Sequence, residues 1–381
     1  MLQKLTAVVT SILALTFATP ATVAWAALHS DCNQLNDPDR RILGCTSVIE
    51  RGKQAKRRTR AFAYYNNRGT AYLMKGEYDL AIADYDKAIA LNPKHAKAYH
   101  NRGLTYGKNG DYDRAIRDYD KAIAFDPNLA PAYNNRGVFY AEKGEYDRAI
   151  ADYDKAIALN PKHAKAYYNR GIAYREKGDF DRVIADYTKA IEINPKFAEP
   201  YNNRGTAYGK KGEVDRAITD YNRAIALNPK DADFYYNRGN VYDDKGEYDR
   251  AIADFSEVIA LNPKDTFAYY NRGSAFDEKG EVDRAIADYD KAIKLNPNAA
   301  DAYYNRGLAY RKKGEVDRAI ADYDKGIVLN PKDAGAYNNR GVAYEKKGEV
   351  ERAIADYRKA LEIDPSYELP KHNLKRLGVT P

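Results

Sequence analysis

Ala166-Tyr167-Tyr168-Asn169-Arg170-Gly171-Ile172-Ala173-Tyr174 carries its bulky residues at helical spacing and runs on to Gly178, a residue type that ends helices. The stretch Asp147-Arg-Ala-Ile-Ala-Asp-Tyr-Asp-Lys-Ala-Ile157 opens on an acid and leads to Asn160-Pro161, where the proline forbids continuation. The two phrases read as helices A and B of one hairpin. The hairpin then repeats: Gly69 recurs every 34 residues to Gly341, and Pro93 every 34 residues to Pro365. Nine copies fill residues 62–367, and a fixed period of this length is read as an array of stacked units before anything else.

A 34-residue helix-turn-helix with Gly at position 8, Tyr at 11, Ala at 20, an aromatic at 24, Ala at 27 and Pro at 32 resembles the tetratricopeptide repeat, here over 306 residues. The resemblance implies an all-α fold, a right-handed α-solenoid of stacked hairpins. It also implies a concave surface lined by A helices that binds an extended peptide or a protein partner.

The chain has 35 tyrosines, and the repeat accounts for most of them. Position 4 is Tyr in all nine copies, and positions 11 and 24 are Tyr in eight each, with Phe276 and Phe255 as the exceptions. Small residues at positions 8, 20 and 27 leave room for these rings between helices, so they read as core, with Tyr72 meeting Tyr85 and so on along the array. Position 7, commonly Leu in the family, is Arg in every copy from Arg68 to Arg340, and position 23 is Asp from Asp84 to Asp356. In a hairpin turning near position 15 these lie at similar heights, which predicts an Arg–Asp ladder rather than an anion-binding arginine row.

Position 6 is Asn throughout: Asn67, Asn101, Asn135, Asn169, Asn203, Asn237, Asn271, Asn305 and Asn339. The row is similar to the asparagine ladder by which the repeat domain of O-GlcNAc transferases holds a peptide backbone, and an amide offers one donor and one acceptor face to a peptide unit of any sequence. The alternative is that these asparagines bond neighbouring helices. Uniform positions carry no specificity, so the varying groove positions matter more. Repeats six and seven supply Asp243, Asp244, Asp277 and Glu278, and position 5 is Tyr at Tyr168, Tyr236, Tyr270 and Tyr304. An acidic run beside tyrosines suits a basic peptide, while a solvated helix face also explains scattered charge. The family's carboxylate clamp for chaperone tails is excluded. It needs Lys at position 5, which no copy has, and Asn at 9, where only Asn240 stands.

Ahead of the array, Lys4, an apolar run from Leu5 to Ala18 and Ala24-Trp25-Ala26 read as an export signal cleaved after Ala26. The apolar core is too short for a bilayer span, leaving an uncleaved anchor reaching Leu28 as the alternative. Residues 27–61 read as a degenerate cap and basic linker, and residues 368–381 as a capping helix and tail with Leu369, Leu374 and Leu377 facing inward. In an oxidising compartment Cys32 and Cys45 read as a disulfide. Their spacing of 13 matches that of Tyr72 and Tyr85, which puts Cys45 at position 24 of a half-repeat.

Lys plus Arg number 62 against 55 Asp plus Glu. The excess is concentrated near the amino terminus, so the repeats carry no continuous positive face for nucleic acid. Two cysteines and five histidines exclude a cysteine-rich or multi-histidine metal site. No copy holds a nucleophile with its base, or a phosphate-cradling loop. The sequence therefore predicts an exported, non-catalytic scaffold of the bacterial envelope, periplasmic or secreted. It needs no cofactor or metal and binds a protein or peptide ligand, with a basic one favoured by the acidic run. A glycan or peptidoglycan binder using the groove tyrosines and asparagines is the alternative from another class, and end-to-end self-assembly is a third reading.

Overall fold

The computed structural model describes residues 27–33, 36–54 and 61–380. The proposed signal, residues 1–26, lies outside the described residues, as do residues 55–60 of the basic linker. Every regular element among the described residues is helical, and none is long and apolar enough to cross a membrane.

The chain divides into two units. In the first, through Ile193, helical residues 27–32 and α1 (Pro38–Gln54) precede four hairpins: α2 (Ala61–Met74) with α3 (Tyr78–Leu91), α4 (Ala96–Lys108) with α5 (Tyr112–Phe125), α6 (Ala130–Glu142) with α7 (Tyr146–Leu159), and α8 (Ala164–Glu176) with α9 (Phe180–Ile193). The second, from Asn194, holds five: α10 (Ala198–Lys210) with α11 (Val214–Leu227), α12 (Ala232–Asp244) with α13 (Tyr248–Leu261), α14 (Thr266–Glu278) with α15 (Val282–Leu295), α16 (Ala300–Lys313) with α17 (Val316–Leu329), and α18 (Ala334–Lys346) with α19 (Val350–Ile363). It closes on α20 (Glu368–Arg376). Within each unit every B helix packs on the A helix that follows, and neighbouring A helices touch one another. Each unit is thus an all-α solenoid of stacked hairpins.

Each A helix stops because the chain turns left-handed at the second glycine. Gly178 has φ +75°, and Gly178 N–H donates to Arg175 O at 2.9 Å while Asp179 N–H donates to Tyr174 O at 3.0 Å. The first glycine has a different task, since it lets the position-24 ring lie against the backbone. A Cβ on Gly171 would stand 2.6 Å from the Tyr187 ring, inside van der Waals contact. Gly171→Ala is expected to cost about 1–3 kcal/mol by overpacking. Gly326, at position 27 in α17, has nothing nearer than Ala300 O at 3.7 Å and a helical φ. Gly326→Ala is therefore expected to stabilise by about 0.5–1 kcal/mol. Urea unfolding of the two variants checks the opposed signs; a gain from the first or a loss from the second contradicts this packing.

The position-24 rings are the centre of the core, at 0–3% exposure. They touch position-5 rings, as in Tyr236–Phe255, Tyr270–Tyr289 and Tyr304–Tyr323, with centroids 6.0–6.1 Å apart, and Tyr119 also stacks on Phe139 of the next hairpin at 5.9 Å. Position-11 rings pack into the same core clusters, Tyr140 with Tyr153 and Tyr242 with Phe255. They also take arginines over their faces, Arg148 and Arg136 over Tyr140 at 3.9 and 5.8 Å.

The expected ladder is present in all nine hairpins. Each position-7 arginine donates from Nε and Nη2 to the two carboxylate oxygens of its position-23 aspartate, at 2.6–2.8 Å. The aspartates are buried and the guanidiniums nearly so. Eight of these arginines also reach back with Nη1 to position 25 of the preceding B helix, for example Arg136 to Asp120 at 2.6 Å and Arg272 to Ser256 Oγ at 3.0 Å. One arginine thus ties its own hairpin together and fastens it to the one before.

Both ends continue this logic. Cys32 and Cys45 form a disulfide, both fully buried. Thr46, one residue beyond Cys45, accepts from Arg68 Nη1 at 2.9 Å, as a position-25 residue should. At the other end Leu374 is buried at position 7 of α20. Leu369 is 56% exposed, contrary to the inward orientation expected for it, because Pro370 takes the buried place on that turn.

Candidate functional site: the A-helix face

The asparagine row runs along neighbouring A helices, and its amide donors are engaged between them. Within each unit an Asn Nδ2 donates to the position-5 residue 35 places earlier, as from Asn101 to Asn66 Oδ1 at 3.0 Å, Asn169 to Asn134 at 3.1 Å and Asn237 to Asn202 at 3.0 Å. Where position 5 is tyrosine the phenol oxygen accepts instead, from Asn271 to Tyr236 at 3.1 Å, from Asn305 to Tyr270 at 2.8 Å and from Asn339 to Tyr304 at 2.8 Å. Asn135 Nδ2 lies 3.2 Å from His100 Nε2. Burial pulls the His100 pKa down to about 4, so the imidazole is neutral at pH 7 and its Nε2 lone pair can accept. Asn67 donates to Asn33 Oδ1 at 3.1 Å and to Cys32 O at 3.4 Å, which fastens the disulfide-bearing cap to the first hairpin. Asn203 Oδ1 accepts from Asn202 at 3.1 Å.

A tenth member escaped sequence reading. Asn373 in α20 donates to Asn338 Oδ1 at 3.1 Å, and its signal was the 34-residue interval counted from Asn339. The row is a lateral seam, with side-chain amides bonding successive A helices as the arginines bond successive hairpins.

The position-5 tyrosines are half-buried. Tyr168 leans on Tyr187 with centroids 5.6 Å apart, and Tyr236, Tyr270 and Tyr304 lean likewise on their position-24 rings. Each ring is therefore in part covered by its neighbour.

The acidic residues at positions 12 and 13 fall together at the carboxyl ends of α12 and α14. Lys312, from α16, reaches back to Asp277 Oδ2 at 2.8 Å. The residue one hairpin earlier in the same relation is Glu278, which faces Asp243 as a like charge. Burial pushes the Asp243 carboxyl above its ordinary range, and Asp244 and Glu278 push it further. Oδ1 of Asp243 is buried without a hydrogen-bond partner, and so is Oδ1 of Asp277. Phe267, at position 2 of α14, stands 69% exposed.

Other features of the surface are compensated. A shallow cleft of about 510 Å³ at the turn between α4 and α5 is lined by Arg114 and Lys143, paired with Asp111 and, at 2.8 Å, with Asp113. No group of acids, histidines or cysteines suited to a metal ion occurs among the described residues.

Family profiles described as TPR repeat match residues 69–110, 139–178, 210–246, 273–314 and 307–348, and others described as tetratricopeptide repeat match between residues 96 and 367. No curated protein matches the sequence. Among solved structures, YrrB, a TPR protein with an unusual peptide-binding site, is 30% identical with a TM-score of 0.45, over 50% of this chain and 97% of that one. MamA is 36% identical with a TM-score of 0.41, over 42% of this chain and 94% of that one. The C-terminal part of a TPR repeat-containing protein from Cytophaga hutchinsonii is 22% identical with a TM-score of 0.55, over 63% of this chain and 98% of that one, and it shares the fold. With profile matches over more than half its length, on the repeat that its helices and glycines build, the chain belongs to the tetratricopeptide repeat family.

Proposed function

We propose that the chain is a non-catalytic interaction scaffold of the bacterial envelope whose A-helix face holds an extended polypeptide segment and places a basic side chain of it beside Asp243. The observation that carries this is the incomplete ion pair. Lys312 supplies Asp277 with a cation from the next hairpin, whereas Asp243 meets Glu278 and keeps a buried oxygen without a partner. A lysine or arginine of a ligand would complete that site with a charge-assisted bond. The asparagine row assists through its carbonyl oxygens, since its amide hydrogens already serve the seam. The glycan alternative has less support, because Tyr236, Tyr270 and Tyr304 are half-buried against neighbouring rings and accept a bond at the hydroxyl.

The test uses an acetylated, amidated octapeptide of alternating Lys and Ala against the same peptide with norleucine for Lys. Asp243→Asn is expected to weaken binding of the lysine peptide about tenfold or more. It should leave the melting temperature unchanged or higher, because a like-charge contact is relieved. Equal affinity for both peptides, or no effect of Asp243→Asn, contradicts the proposal.

Export is a separate part of the proposal, carried by residues 1–26 and by a disulfide that suits an oxidising compartment. Cleavage after Ala26 removes Trp25, the only tryptophan. Protein purified from the envelope should show tyrosine emission alone, and tryptophan emission from it would end the cleaved-signal reading.

A further inference from the structure

Position 12 is charged in the last four repeats of the second unit, negative at Asp243, Asp277 and Glu345 and positive at Arg311 alone. Two of the four are neutralised from the following helix. Lys312 pairs with Asp277 at 2.8 Å, and Arg376 of α20 takes Glu345, with Nη2 2.8 Å from Oε2, while the Tyr357 hydroxyl donates to the same oxygen at 3.0 Å. Arg311 stands between these pairs with no acid within ion-pairing distance among the described residues, and its Nε is buried without an acceptor. The contrast with Arg175, at position 12 of α8, is direct: Arg175 donates to its neighbour Glu176 at 2.8 and 3.1 Å, whereas the neighbour of Arg311 is Lys312, already committed to Asp277.

Beneath Arg311 lies a second unsatisfied donor. Tyr323 is fully buried, and its hydroxyl has no hydrogen-bond partner. Its counterpart Tyr357 gives its proton to the Glu345 carboxylate, so the native structure already shows a position-24 phenol and an arginine sharing one carboxylate. Tyr304, beside Arg311, accepts from Asn339 at 2.8 Å and keeps its own proton to donate.

We propose that Arg311 and the Tyr323 hydroxyl form a carboxylate site on the A-helix face of α16, taking an acidic side chain or the carboxyl terminus of a bound polypeptide. The site repeats at Arg311 the grouping that Glu345 completes internally. These are positions 12 and 24, none of which belongs to the chaperone-tail clamp. The inference rests on the polypeptide reading for its ligand, and it fixes a second charge for that ligand, negative at Arg311 and positive at Asp243.

The experiment titrates the full chain, with ¹⁵N-labelled arginine, with sodium acetate against sodium chloride at equal ionic strength. The Nε–Hε signal missing from the Arg311→Gln spectrum is followed. A saturable shift in acetate alone is expected, with about threefold to tenfold weaker binding in Tyr323→Phe, where one hydrogen bond to a charged acceptor is lost. The same shift in chloride, or full affinity in Tyr323→Phe, overturns the site; the phenylalanine variant keeps the ring and decides the matter should Arg311→Gln unfold the hairpin. Two peptides then separate the sources: acetyl-tetraalanine with a free carboxyl terminus, and an amidated acetyl-alanine peptide with one central glutamate. Acetate binding at Arg311 with neither peptide binding would leave the carboxylate site standing and remove the polypeptide reading. Lysine-peptide binding through Asp243 without an acetate shift would do the reverse.

Discussion

Asp254→Ala is expected to destabilise the second unit by about 3–5 kcal/mol, the largest effect of any single substitution in the array. Asp254 is 4% exposed and accepts from Arg238 Nη2 at 2.6 Å and Nε at 2.8 Å, so its removal leaves a guanidinium in the hairpin interior without its carboxylate. Arg238 also bonds Asn222 of the preceding B helix, so the defect should spread to the α11–α12 contact as well as within α12 and α13. Replacing both partners, Arg238→Met with Asp254→Leu, should recover much of the loss, because the cost lies in stranding one charge rather than in lacking the pair. The last helix supports this, since an apolar Leu374 fills position 7 there and is fully buried. Urea unfolding followed by circular dichroism measures both variants, and a loss of under 1 kcal/mol for Asp254→Ala would place the ladder with surface ion pairs instead.

Reduction of Cys32–Cys45 is the second large effect. Closing a loop of this size is worth about 3 kcal/mol in the chain-entropy model. Besides the disulfide, the cap is held by the bonds from Asn67 to Cys32 O and Asn33, from Arg68 to Thr46 and from Lys75 to Asp39, and by Ile49 packed against Tyr65. Amide exchange should therefore rise in α1 and α2 on reduction and stay unchanged in α12 to α19, because coupling in a stacked array passes between neighbours. Two alkylatable thiols in the native protein would refute the bond, and uniform loosening of all hairpins would refute the local account.

The hairpins were legible from Gly69, Pro93 and their 34-residue intervals, because punctuation and period are properties of the chain alone. The Arg–Asp ladder was legible for the same reason: positions 7 and 23 share a height in one hairpin. What sequence left open concerns contacts between hairpins. Whether the asparagines face a ligand or the next helix depends on inter-hairpin spacing, and the acceptors at position 5 differ in type, Asn134, His100 and Tyr270 among them, which hid their common role. The reach of each arginine to position 25 was readable in principle. That position carries Asp, Asn, Ser or Thr wherever another position-7 arginine follows, and it becomes Arg358 only where Leu374 comes next. Leu369 was misplaced because helical spacing alone does not say that Pro370 would take the buried side. In the candidate site, the acidic run was visible as composition, but the distinction between Asp277, already paired, and Asp243, not paired, required the position of Lys312.

The central claim is that the A-helix face around Asp243 receives a basic polypeptide segment, and a photocrosslink tests it most directly. Phe267 is exposed on that face, and replacing it with a benzophenone-bearing phenylalanine analogue places a reactive ketone there at little cost in packing. Irradiated in the native envelope, the protein should yield a crosslinked polypeptide whose attachment maps within a few residues of a lysine or arginine, and the yield should fall about tenfold in the Asp243→Lys background. Attachment to a glycan strand, or an unchanged yield with Asp243→Lys, would contradict the account.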